Sequence, residues 1–89
     1  MIERETEIVN RLGLHARAAA KLVHTVAPFQ SRVTVSRDGE EVDAKSILGI
    51  MMLAAAQGTT VTIRCEGTDE EAAMKAVTEL FADKFGEES

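Results

Sequence analysis

The chain predicts an α+β fold of order βαββαβα, with helices layered on one side of a single sheet that is antiparallel in at least part. Two observations carry this prediction. The spacing of apolar residues switches repeatedly between a period of two and a helical period, and Asp38-Gly39 is a strong two-residue hairpin signal. No internal repeat and no linker interrupts the 89 residues, so one domain spanning 1–89 is expected. A chain of this size buries only about 60–65% of its unfolded surface, which allows one modest core.

Each element is justified by its own residues. Glu3, Glu5 and Glu7 alternate with Arg4, Thr6 and Ile8, which reads as a strand with one charged face. From Ala16 the period becomes helical: Ala16, Ala19, Ala20, Val23, Val26 and Ala27 form the apolar series, and Pro28 supplies a stop. Arg32 to Arg37 alternates again with Val33 and Val35 inward, and Glu40 to Ala44 returns from the Asp38-Gly39 turn. A second helical run extends from Ile47 to Ala56 and is closed by Gln57-Gly58. Thr60 to Glu66 places Val61, Ile63 and Cys65 on one face. Thr68 and Glu71 have the spacing of a capping box ahead of the stripe Ala73, Ala76, Val77 and Leu80. The last residues, Gly86 to Ser89, read as a frayed tail.

Composition removes several classes of function. Fifteen acidic against ten basic residues give a formal net charge of −5, and Trp and Tyr are absent. Neither a phosphate backbone nor stacked bases would find a ready surface, so nucleic acid is not an expected partner. Cys65 is the single cysteine and is read as a small buried hydrophobe; no metal-ligand spacing is present. The most apolar stretch, Ile47 to Ala56, falls well short of the roughly 20 residues of a membrane span. Without a basic and then apolar leader at Met1-Ile2-Glu3-Arg4-Glu5, the chain reads as cytoplasmic.

The segment Asn10-Arg11-Leu12-Gly13-Leu14-His15-Ala16-Arg17 stands apart. Gly13 permits a sharp turn, and His15 falls at the N-cap of the first helix. A helix N-terminus offers unpaired N–H donors and partial positive charge, and Arg17 adds a cationic fork, so the place suits an anion. A neutral imidazole there can attack a phosphoryl donor, with donors in place for the product dianion. On spacing alone, the commoner reading is that His15 is an ordinary cap and Arg17 an ordinary surface cation.

The run Gly13-Leu14-His15-Ala16-Arg17 closely resembles the active-site motif of the histidine-containing phosphocarrier (HPr) family of the bacterial phosphoenolpyruvate-dependent phosphotransferase system. Lys45-Ser46-Ile47-Leu48-Gly49-Ile50-Met51 resembles that family's regulatory-serine segment, and Gln57-Gly58 and the strand Val61-Thr62-Ile63 extend the likeness. The resemblance spans nearly the whole chain. It implies an open-faced β-sandwich, a four-stranded antiparallel sheet covered on one face by three helices. It also implies a carrier with no turnover of its own. His15 would be phosphorylated on a ring nitrogen by Enzyme I, Arg17 would contact the phosphoryl group, and an EIIA-type domain of a sugar or regulatory system would accept it. No cofactor is implied, and a monomer is expected. One departure is Ala18, where the family usually has proline; alanine keeps an N–H in the first helical turn.

Ser46 reads as the cap of the second helix, and by resemblance as a regulatory site for a dedicated serine kinase. The two roles are compatible. Ile47, Leu48, Ile50, Met51, Met52 and Leu53 surround most of that helix, so some must face outward. Ile47, Leu48 and Met51 are either incidental exposure or a docking patch. Arg17, Ala20, Lys21 and His24 follow i, i+3, i+4, i+7 and form a basic stripe suited to steering an acidic partner. His24 is nine residues from His15 and so lies on the other side of the helix; it reads as a surface or interface residue. A binding module without phosphoryl chemistry is the rival reading, but a small metal chaperone of similar element order would need paired cysteines.

Overall fold

The computed structural model describes residues 1–89. The elements are β1 (Ile2–Glu7), α1 (Ala16–Val26), β2 (Arg32–Arg37), β3 (Glu40–Asp43), α2 (Ile47–Met52), β4 (Thr60–Glu66) and α3 (Glu70–Ala82), with a 3-10 turn at Lys84–Gly86. The strands form one antiparallel sheet in the order β1-β4-β2-β3. The hairpin forms as expected: Asp38 and Gly39 take φ of 52° and 83°, the paired positive values that match the twist of the flanking strands. No helix is long and apolar enough to cross a membrane.

Strand alternation sorts the two sheet faces. Val33 opposes Cys65 and Val35 opposes Ile63 across β2 and β4, and all four are fully buried beneath the helices. The other face is open and polar, where Arg64 pairs with Glu3 and, at 3.0 Å, with Glu41. From the helices, Leu22 and Val26 of α1, Ile50 of α2, and Met74, Val77 and Phe81 of α3 complete the core. The Phe81 and Phe85 rings meet at 4.8 Å between centroids, tilted by 57°.

Four local expectations need correction. The buried face of α1 is Ala18, Ala19, Leu22 and Val26, while Ala16, Ala20 and Ala27 are exposed. Alanine is tolerated on any face of a helix, so an alanine-rich run does not orient itself; Leu22 does. Secondly, α2 stops at Met52 rather than Ala56, and Ala54 takes a left-handed φ of 51°. Arg37 donates from Nη1 to the Leu53 carbonyl at 2.9 Å and thereby satisfies an acceptor at the helix end.

The third correction concerns the start of α3, where the Thr68–Glu71 box does not form. Asp69 occupies the N-cap, its carbonyl accepting the Ala73 N–H at 3.0 Å while its side chain makes no cap bond to the helix. Its carboxylate instead accepts the backbone N–H groups of Gln30 and Ser31 at 2.8 and 2.9 Å, along with the Ser31 hydroxyl. Those bonds, the Ser31 hydroxyl first, hold the Asp69 carboxyl below its usual range. Finally, the tail is not frayed. Phe85 is buried, Lys21 donates from Nζ to its carbonyl at 2.5 Å, and the Arg11 N–H reaches the Ser89 carbonyl at 3.0 Å.

Candidate functional site

The loop between β1 and α1 is shaped by a buried asparagine and a glycine. Asn10 is fully buried. Its backbone carbonyl accepts the Gly13 N–H at 3.2 Å, and its side-chain amide donates to the Gly13 carbonyl at 2.9 Å. Gly13 takes φ +68°, and a Cβ there would lie 2.5 Å from the Ala55 carbonyl oxygen. Only glycine fits both the left-handed backbone and the close approach. The next residue, Leu14, is buried and donates its N–H to that same Ala55 oxygen at 2.9 Å. The stretch after α2 is thus the wall against which the loop is pressed, and it fixes where the following residue projects.

That residue is His15, at the N-cap of α1 with φ −76° and ψ 177°. Its carbonyl accepts the Ala19 N–H at 2.8 Å, while its Nδ1 accepts the Arg17 N–H at 3.3 Å. The N–H groups of Ala16 and Ala18 have no acceptor. Alanine at position 18 keeps an N–H in this first turn, on a residue that is itself fully buried. On the other side of the ring, Nε2 bonds to the Glu87 carboxylate. The imidazole is 27% exposed and Glu87 15%, so the ring is reachable yet held on both edges. Arg17 is exposed and makes no ion pair. Together with Arg11, Leu12, Glu87 and Ser89, it borders a shallow depression around His15.

Glu87 is set by its surroundings. Burial pushes its carboxyl up, but the hydrogen bonds from His15 and Asn10, with the nearby charge of Lys21, outweigh burial and hold it below the ordinary range. The Asn10 amide contact is 3.1 Å to Oε1. Asn10 is therefore a hinge pin of the site, touching both Gly13 and Glu87.

The remaining sequence candidates fall into two neighbouring groups. Ser46 caps α2, its hydroxyl oxygen accepting the Gly49 N–H at 3.0 Å. Ile47, Leu48 and Met51 project outward from α2, with Leu48 73% exposed, and α2 packs beside α1. Along α1, Arg17, Ala20, Lys21 and His24 border one shallow groove that Leu80 of α3 completes. The stripe is continuous, but the Lys21 ammonium is committed to the Phe85 carbonyl, while His24 is exposed. Among the residues that sequence reasoning missed at the site are Asn10, Glu87 and the exposed Leu12 beside His15. Asn before a turn glycine is a usable signal for the first; no periodicity marks the other two.

Comparison with known proteins places this geometry. A family model described as "PTS HPr component phosphorylation site" matches residues 2–83. The chain is 54% identical over 89 residues to a phosphocarrier protein HPr of Xylella fastidiosa strain Temecula1, covering 100% of both chains. HPr-C-His from Thermoanaerobacter tengcongensis superposes with a TM-score of 0.96 at 49% identity, again covering 100% of each chain. A structure of an HPr dimer from the same organism gives 0.78 at 49% identity, covering 98% of this chain and 100% of that one.

Proposed function

The chain belongs to the HPr family of the phosphotransferase system, phosphocarriers without independent turnover, and on that premise we propose that His15 is its phosphoryl acceptor. The observation that carries the proposal is the position of His15: an imidazole at the N-cap of α1, with unpaired N–H groups at Ala16 and Ala18 and the exposed guanidinium of Arg17 beside it. Attack by a ring-nitrogen lone pair on phosphorus forms the N–P bond as the bond to the donor breaks, its electron pair leaving with the donor. The phosphoryl oxygens then sit at the positive end of a helix, where preorganised donors stabilise charge without rearrangement.

Phosphorylated Enzyme I, charged from phosphoenolpyruvate, is the donor in this reading, and an EIIA-type domain the acceptor, all working in the cytoplasm. Docking uses Ile47, Leu48 and Met51 of α2 with Arg17, Ala20, Lys21 and His24 of α1. Arg17 borders both the His15 depression and the α1 groove, and α2 packs against α1; that adjacency supports the assignment, and the apolar patch suits a partner that covers it. Ser46, at the margin of the patch, is proposed as a regulatory site for a serine kinase. Phosphorylation there would add about −1.5 to −2 charge beside the docking surface. The carrier is proposed to act as a monomer, since each copy holds all the groups this chemistry needs.

The test is a two-step transfer assay with labelled phosphoenolpyruvate, Enzyme I and an EIIA domain. Wild type should take label and pass it on. His15→Ala should do neither while keeping its circular dichroism. Label passing through His15→Ala at the wild-type rate would overturn the proposal.

A further inference from the structure

The C-terminal segment is built as a strap across the site rather than as a tail. Buried Phe85 anchors it on Phe81, Lys21 holds the Phe85 carbonyl, and the Glu87 N–H bonds to the Lys84 carbonyl at 2.9 Å. Beyond Glu87, the Arg11 N–H holds the Ser89 carbonyl. Glu87 is therefore pinned on both sides, and Asn10 fixes one of its carboxylate oxygens while the other meets His15 Nε2.

Donor and acceptor roles around the ring admit one arrangement. An ionised carboxylate only accepts, so Nε2 must carry a hydrogen; a backbone N–H only donates, so Nδ1 facing Arg17 must carry a lone pair. With hydrogens on both nitrogens, the Nδ1–H and the Arg17 N–H would point at each other as two donors. Of the two neutral tautomers, the surroundings thus select the one with Nε2–H and its lone pair at the helix N-terminus.

We propose that Glu87 is a positioning residue for phosphoryl transfer: it holds His15 in the tautomer that leaves Nδ1 nucleophilic and stays paired with the ring when transfer makes it cationic. The inference rests on the reading of His15 as the phosphoryl acceptor. In the forward step the Nδ1 lone pair forms the N–P bond and Nε2 keeps its hydrogen, so the ring gains positive charge opposite a fixed carboxylate. In the onward step a nucleophile of the acceptor forms its bond to phosphorus as the N–P electron pair returns to Nδ1, and the leaving group is neutral imidazole rather than its anion. No proton has to move in either direction. Carboxylate partners of histidines that bind metals act through the same orientation and polarisation, and their loss typically costs about 10–100-fold in affinity or activity.

The experiment compares wild type, Glu87→Ala and Glu87→Gln. Imidazole ¹⁵N shifts are recorded on the unphosphorylated proteins at a pH where the rings are neutral, with exposed His24 as the internal reference, and the rate of labelling by Enzyme I is measured on the same preparations. Wild-type His15 should show a protonated Nε2 and a bare Nδ1. Glu87→Ala should move both signals toward the two-tautomer average of His24 and slow labelling by about 10–100-fold. Glu87→Gln, whose amide oxygen still accepts from Nε2–H, should keep the tautomer yet label more slowly than wild type, because the charge facing the cationic ring is gone. Unchanged His15 shifts in Glu87→Ala, or labelling of Glu87→Ala at the wild-type rate, would overturn the role of Glu87 while leaving the acceptor reading intact. A wild type that takes no label would overturn the acceptor reading itself.

Discussion

Replacing Gly13 by alanine tests how tightly the His15 loop is pressed against the end of α2. The new Cβ would sit 2.5 Å from the Ala55 carbonyl oxygen and 3.0 Å from Ala56 Cα, at a residue with φ +68°. A left-handed backbone costs a non-glycine residue about 1–2 kcal/mol, and forced overpacking adds about 1–3 kcal/mol. Reduced freedom of the unfolded chain returns about 0.4–1 kcal/mol. The expected loss is about 1–4.5 kcal/mol, which in a domain of this size lowers the melting temperature by roughly 5–35 °C. Relief requires the loop to lift, stretching the 2.9 Å bond from the Leu14 N–H to Ala55 and displacing His15 next to it. Labelling should slow by up to about 100-fold where protein remains folded, as for other small misplacements of reacting groups. Gly58→Ala is the control: its φ is +89°, but its Cβ would meet nothing within 4 Å, so the backbone cost of about 1–2 kcal/mol applies with the same unfolded-chain return and no steric conflict. Thermal melts of the two variants side by side separate strain from steric conflict. If Gly13→Ala melts no lower than Gly58→Ala, the Ala55 wall does not position the loop.

Single contacts carry three further predictions. Arg17→Ala should keep the wild-type melting temperature, because the side chain is exposed and unpaired, and should slow labelling roughly 10–100-fold through loss of a charge-assisted contact to the phosphoryl group. Ser46→Asp should preserve the cap on the Gly49 N–H and melt no lower than wild type, since a negative charge at a helix start gains about 0.3–1 kcal/mol. Its steady-state transfer should nevertheless fall, because that charge lies beside Ile47, Leu48 and Met51. Asp69 ties the start of α3 to the segment entering β2, and its folded pKa lies below the ordinary 3.8. The stability it supplies is therefore complete above that value and lost as pH falls through the lowered one; in melts across the acid range, Asp69→Asn should show a shallower decline than wild type.

How far the sequence carries depends on whether a feature is local. Asp38-Gly39 needs only its own backbone to make a turn, so the β2–β3 hairpin is readable. His15 at a helix start is readable for the same reason, because the turn glycine and the helical period fall on either side of it. The Thr68–Glu71 pattern is equally local, yet it loses to a tertiary competitor: Asp69 finds two N–H groups and a hydroxyl on the Gln30–Ser31 segment. The end of α2 is invisible because Ala54, Ala55 and Ala56 suit a helix, whereas in the fold the Ala55 carbonyl is taken by the distant Leu14 N–H. Glu87 carries no periodic signal at all. It reaches His15 only because Phe85 and Lys21, far apart in sequence, bring the strap back across the core.

The central claim, that His15 carries the phosphoryl group, is tested most directly by locating it on the intact protein. Wild type is charged with phosphoenolpyruvate and Enzyme I, kept at alkaline pH, and mapped by tandem mass spectrometry with fragmentation that preserves phosphoramidates. The account predicts one phosphoryl group on the peptide holding His15, localised to that residue and lost on brief acid treatment, with His24 and Ser46 unmodified. An acid-stable group, or one localised to His24 or Ser46 with His15 bare, would contradict it.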